Sequence, residues 1–200
     1  MKKLQNIIAV TLVTIFALSC SKNDEVPITP AVVNPIIYNE ENPFNAFIAT
    51  MSNSGQVSNS IYGEVQWGYI FKCTERGKIN SLMIKIPVIN NALKVYMWDK
   101  ATLALIKTEI VNVSAANVNI IKIVTPILLE KNKEYVITIF SDDYIVHSSP
   151  SGAVSYPVVA GTIQILGTLS GVDGACPTGI GNGSSNSYRG DVSFNFQRTE

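Results

Sequence analysis

From Phe44 onward, apolar residues recur at every second position through most of the chain. Leu82, Ile84 and Ile86 alternate with Met83 and Lys85, and Leu93, Val95 and Met97 alternate with Lys94, Tyr96 and Trp98. Tyr135, Ile137 and Ile139 alternate with Val136, Thr138 and Phe140, and Val192, Phe194 and Phe196 with Asp191, Ser193 and Asn195. A period of two over short β-branched and aromatic runs predicts strands with one face in a core. Several second positions are apolar as well, which predicts inner strands covered on both faces. Two further strands are predicted over residues 103–113 and 118–124, separated by the polar turn Ser114-Ala115-Ala116-Asn117, and no amphipathic helix is predicted after residue 20. Many short strands with regular turn signals predict an all-β fold, an antiparallel, jelly-roll-like β-sandwich.

Residues 152–190 break this rhythm. They hold nine of the 13 glycines, and only 162–166 reads as a strand. A long glycine-rich loop on a β scaffold is a place where binding residues gather; an insertion without function has the same composition.

The N-terminal pattern is different again. Met1-Lys2-Lys3 precedes an apolar run over residues 4–18, interrupted by Gln5, Asn6, Thr11 and Thr14. A basic start and a short apolar stretch form a secretory signal, too short to span a bilayer, which needs roughly 20 residues. It ends at Ala17-Leu18-Ser19-Cys20, which is similar to a bacterial lipobox, with Ala17 where leucine is usual. The resemblance implies cleavage after residue 19 and a diacylglyceryl group on Cys20. Ser21-Lys22-Asn23-Asp24-Glu25 resembles the short acidic tag that directs some lipoproteins to the outer face of the outer membrane. Residues 26–43 carry Pro27, Pro30, Pro35 and Pro43, and proline stiffens an extended chain. The predicted organisation is a leader over 1–19, an acylated cysteine and stalk over 20–43, and a sandwich domain over 44–200.

Composition narrows the function classes. The chain has 15 basic and 15 acidic residues, so it lacks the basic footprint of a nucleic-acid binder. His147 is the only histidine, and any triad, His-based zinc site or His general base would have to use it. Asp142 and Asp143 could join Asp99, Asp173 or Asp191 as the two carboxylates a glycosidase needs, although such aspartates also form turns. No cofactor is expected. Calcium is the one ion such oxygen ligands would take, and no dense Asp/Asn ligand loop is present. With Cys20 acylated, Cys73 and Cys176 form an even pair in an oxidising compartment, so they make either a disulfide or two buried thiols. The aromatics Trp98, Tyr144, Tyr156 and Tyr188, with Asp99 and His147, are the candidate ligand-binding residues, because exposed rings stack on sugars. Each could equally be a packing residue.

Several segments carry a family resemblance. Trp67-Gly68-Tyr69-Ile70-Phe71, Val95-Tyr96-Met97-Trp98-Asp99, Leu129-Glu130-Lys131-Asn132-Lys133-Glu134-Tyr135-Val136 and Tyr188-Arg189-Gly190-Asp191-Val192-Ser193-Phe194 follow one another in an order that resembles domain of unknown function 4082, over roughly residues 64–196. The chain departs from that pattern at Lys100-Ala101, where the family has a glycine, and at Asn117 and Asn119, where it often has a tryptophan. The resemblance implies a β-sandwich of secreted bacterial proteins, often beside carbohydrate-related domains, with no assigned catalytic residues. The expected function is a non-catalytic binding module of a surface lipoprotein, anchored in the outer membrane and facing the exterior, with extracellular carbohydrate as ligand. The alternative is a structural or adhesive envelope domain with a protein partner at exposed strand edges. A glycan hydrolase comes last.

Overall fold

The computed structural model describes residues 36–51, 63–149, 154–179 and 187–200, together with the backbone of 53–59. The leader, Cys20, the acidic tag, most of the stalk and the run 180–186 lie outside the described residues. The body is an antiparallel all-β sandwich. Its strands are β1 (Glu40–Glu41), β2 (Asn53–Asn59), β3 (Val65–Cys73), β4 (Gly77–Lys85), β5 (Asn90–Asp99), β6 (Leu105–Val113), β7 (Ile120–Leu129), β8 (Glu134–Ser141), β9 (Asp143–Ser148), β10 (Val158–Ala160), β11 (Ile163–Gly171), β12 (Ser187–Arg189) and β13 (Asp191–Arg198). A six-stranded sheet runs β10-β11-β3-β8-β5-β6, a four-stranded sheet β1-β13-β4-β7, and a small third sheet β12-β9-β2.

The alternation read from the sequence places the core. Tyr69, Phe71, Ile84, Leu93, Ile137, Ile139, Val192, Phe194 and Phe196 are all buried in one cluster. Phe71 and Phe194 pack at a tilt, 4.6 Å between ring centres, which ties the six-stranded sheet to the four-stranded one. The second positions behave as predicted for doubly covered strands. Tyr96, Trp98, Val136 and Leu169 form a separate buried cluster, joined by Ile70, Phe140 and Cys176. On β13 the second positions are polar: Ser193 Oγ donates to Asn42 Oδ1 at 2.8 Å, and Asn42 Nδ2 donates to Asn195 Oδ1 at 2.9 Å.

Three expectations need correction. A short helix, α1 (Phe44–Ala49), follows Pro43 and drives Phe44 and Phe47 into the core. Six residues carry too little period to be seen, and packing of Phe47 on Tyr69 and Tyr188 holds the helix instead. The folded body starts before Phe44, because Glu40 and Glu41 pair with Gln197 and Phe196 of β13. Glu41 Oε2 also accepts from Thr162 N at 2.6 Å and Thr162 Oγ1 at 2.8 Å. Finally, residues 152–190 contribute β10, a nine-residue β11 and β12. Glycines within β11 hid its length, since Gly167 sits at a register shift against β3.

Candidate functional site

The two cysteines settle first. Cys73 sits at the end of β3 in the main core, whereas Cys176 packs in the second cluster, and both are free thiols. The expected disulfide is therefore not made, because the six-stranded sheet separates the two sulfurs. Burial pushes the Cys73 thiol up to about 12 and raises that of Cys176 as well.

All the candidate ligand residues but Tyr156 are buried, each for its own reason. Trp98 is 4% exposed and packs on Tyr96 at 5.6 Å, on the face of the six-stranded sheet turned away from the main core. Residues 171–178 lie across that face. Gln66 Nε2 donates to the carbonyls of Val172 and Ala175, while Thr138 Oγ1 donates to Gln66 Oε1 at 2.7 Å. Asp173 accepts from Lys94 Nζ at 2.7 Å and from Tyr96 OH at 2.5 Å. These bonds hold the Asp173 carboxyl below its ordinary range. Part of the glycine-rich segment is thus a cover pinned by side chains, with Trp98 beneath it.

Asp99 closes the turn after β5. Its Oδ1 accepts from the backbone N–H of Ala101 at 2.9 Å and Thr102 at 3.0 Å, and its Oδ2 pairs with Lys133 Nζ at 2.9 Å. The Lys133 bond first, and the Thr102 backbone bond second, lower the carboxyl to about 2. This is turn chemistry.

His147 and Asp191 form the most enclosed polar pair. The strand β9 brings His147 Nε2 to 2.6 Å from Asp191 Oδ1 at the start of β13, and both residues are buried. Tyr188 stacks on the imidazole at 6.1 Å and Phe44 meets it edge-on at 6.2 Å. Burial raises the Asp191 carboxyl, and the bond to His147 offsets this only in part. Among the described residues, His147 Nδ1 is buried without a hydrogen-bond partner. A general base must reach a reacting group; this pair is sealed under aromatic rings and joins two strands instead.

Tyr188 is buried and exchanges hydrogen bonds with the backbone of Val192, and Tyr156 is half-buried against Phe47 at 6.4 Å. Tyr144 packs on Trp67 at 5.0 Å, and the Arg189 guanidinium lies 5.0 Å from the Trp67 ring centre and 5.9 Å from that of Tyr144. Trp98, Tyr144 and Tyr188 therefore offer no open ring face, which corrects the expected sugar platform. Buried rings dominate because a β core needs large apolar side chains on both sides of its inner sheet. Of the carboxylates considered for hydrolysis, Asp99, Asp173 and Asp191 are each committed to separate partners. Among the described residues, no three His, Cys, Asp or Glu side chains gather to hold a metal ion.

The open apolar surface lies elsewhere. The strands β6 and β7 are the terminal strands of their sheets. Lys122 Nζ of β7 reaches Glu109 Oε2 at 2.7 Å and donates to the Ile110 carbonyl of β6 at 2.7 Å, so the two edges stand side by side. Leu105, Ile106 and Ile110 of β6 are exposed, as are Ile121 and Ile123 of β7, Ile123 at 78%. The sequence marked 103–113 and 118–124 as strands; it gave no sign that both would be edges, because edge position depends on which strands pair. No model of a known protein family matches the chain, and no curated protein is significantly similar to it.

Proposed function

We propose that this chain is an exported, lipid-anchored β-sandwich that catalyses nothing itself and binds a protein partner at the cell envelope along the β6–β7 side. The observation that carries this reading is the set of exposed leucine and isoleucine side chains on two adjacent sheet edges. Edge strands are ordinarily blunted by proline, bulges or charge. Pro126 serves β7, and Lys107 and Glu109 put paired charges on β6, but the middle of β6 has no proline and no bulge and keeps regular register with β5 from Leu93↔Val111 to Met97↔Lys107. An extended segment of a partner can add to such an edge through main-chain hydrogen bonds, with side-chain specificity from the exposed apolar side chains beside it. Acylation of Cys20 tethers the domain to the envelope in the same reading. Carbohydrate is the weaker ligand, since its candidate rings are covered.

The test is photocrosslinking in the native host. A crosslinking side chain at Ile110 or Ile123 is expected to trap one discrete protein. The same group at Val159, 57% exposed and on β10 at the opposite end of the six-stranded sheet from β6, is the control. Equal products at all three positions, or none at the edges, would sink the reading.

A further inference from the structure

The chain has three arginines, and two of them have a carboxylate: Arg76 pairs with Glu200 at 3.7 Å and Arg198 stands 3.9 Å from Glu41. Arg189 has none among the described residues. Its guanidinium lies over the Trp67 and Tyr144 rings, and its Nε is buried without a hydrogen-bond partner. The indole Nε1 of Trp67, in the ring beneath it, is likewise buried and unpartnered, in a residue only 8% exposed. Two orphan donors and an uncompensated cation thus meet in one place. Both atoms can only donate, so the missing group is an acceptor.

The internal segments outside the described residues supply no carboxylate to pair with Arg189. Positions 52, 60–62, 150–153 and 180–186 contain no Asp or Glu, and neither do residues 53–59. Nearby Asp191 is taken by His147. We propose that Arg189, stacked on Trp67 and Tyr144, is a binding site for an oxyanion, a carboxylate or sulfate group carried by a ligand from outside the chain. Stacking holds the planar guanidinium in one orientation, and its fork matches two oxygens of such a group at once. The indole N–H supplies a neighbouring donor. This site is formed by β3, β9 and β12 and uses no residue of the β6–β7 edge, so it stands or falls independently of the protein-docking reading.

Nuclear magnetic resonance reads the two orphan protons directly. The exported chain, residues 20–200 with Cys20→Ser, is titrated with sodium glucuronate, with sodium sulfate and with glucose at fixed ionic strength. The indole signal is assigned by Trp67→Phe. Saturable movement of the Trp67 Nε1–H and Arg189 Nε–H signals with an anion but not with glucose is expected. Movement with sulfate as well marks a site for any oxyanion, and movement with glucuronate alone marks a carboxylate on a larger ligand. Arg189→Lys keeps the charge and loses the fork, and should bind at least tenfold more weakly. The proposal is overturned if neither anion moves the signals, or if glucose moves them equally. It is also overturned if Asp24→Asn with Glu25→Gln shifts both signals in the absence of ligand, because the chain's own N-terminal carboxylates would then be the occupant.

Discussion

Gly68 lies in the middle of β3, paired with Thr138 of β8 on one side and Leu169 of β11 on the other. A methyl group built there would stand 1.9 Å from the Ile137 carbonyl oxygen and 2.8 Å from both the Ile137 carbonyl carbon and the Thr138 Cα. Real contacts of this kind stay beyond 3.0 Å, so Gly68→Ala forces the two strands apart by about 1 Å. All three obstructing atoms are backbone, so no side chain can rotate away. Overpacking that side chains can absorb costs about 1–3 kcal/mol, and each ladder hydrogen bond stretched adds about 0.5–1.5 kcal/mol. Gly68→Ala should therefore destabilise the domain by at least about 3 kcal/mol. Gly167 on the neighbouring β11 has nothing within 4 Å of its added methyl. Gly167→Ala should be neutral or stabilising by about 0.4–1 kcal/mol, through the unfolded chain. Urea unfolding followed by circular dichroism measures both. A Gly68→Ala protein within 0.5 kcal/mol of wild type would show that β3 and β8 do not approach as described.

Three other outcomes follow from single side chains. Phe47→Ala removes the α1 ring that packs on Tyr69 and Tyr188; it should cost about 3–5 kcal/mol in the same assay, and a cost below 1 would detach α1 from the core. Asp99 titrates at about 2 in the folded protein against an ordinary 3.8. Its contribution is fully present above the unfolded value and disappears as pH falls through the folded one. The stability gap between wild type and Asp99→Asn should then be wide at pH 7 and close between pH 4 and pH 2; a gap independent of pH contradicts the Lys133 pairing. Because Cys73 and Cys176 are free, dithiothreitol should leave the melting midpoint unchanged, and a thiol reagent should count both after unfolding. A reductant-sensitive midpoint would restore the disulfide.

The parts of this fold legible in the sequence are those governed by local periodicity. Leu82, Ile84 and Ile86, or Val192, Phe194 and Phe196, declare an inner face because the pleat sends alternate side chains to opposite sides. The apolar second positions Tyr96, Trp98 and Val136 correctly signalled a second covered face, though not that residues 171–178 cover it. That covering depends on Asp173 meeting Lys94 and Tyr96 across more than 70 residues of chain, a distance no local pattern spans. The candidate site suffered most from this limit. Trp98, Tyr144 and Tyr188 have the composition of a ligand platform, and only tertiary packing shows that other elements lie over them. The pairing of His147 with Asp191 was hidden in the same way, since the two stand on different strands 44 residues apart. Arg189 stood within a segment noted for other reasons, and its lack of a carboxylate among the described residues emerges only when the other arginines are seen to have theirs.

The most direct measurement of the docking reading is binding of the soluble exported chain to cells of the native host from which the endogenous copy has been deleted. Saturable binding is expected that protease treatment of the cells abolishes, that removal of surface polysaccharide leaves intact, and that the double variant I110K/I123K loses while remaining folded. Binding that survives protease, disappears with the polysaccharide and is indifferent to the edge variant would contradict it and return the function to carbohydrate.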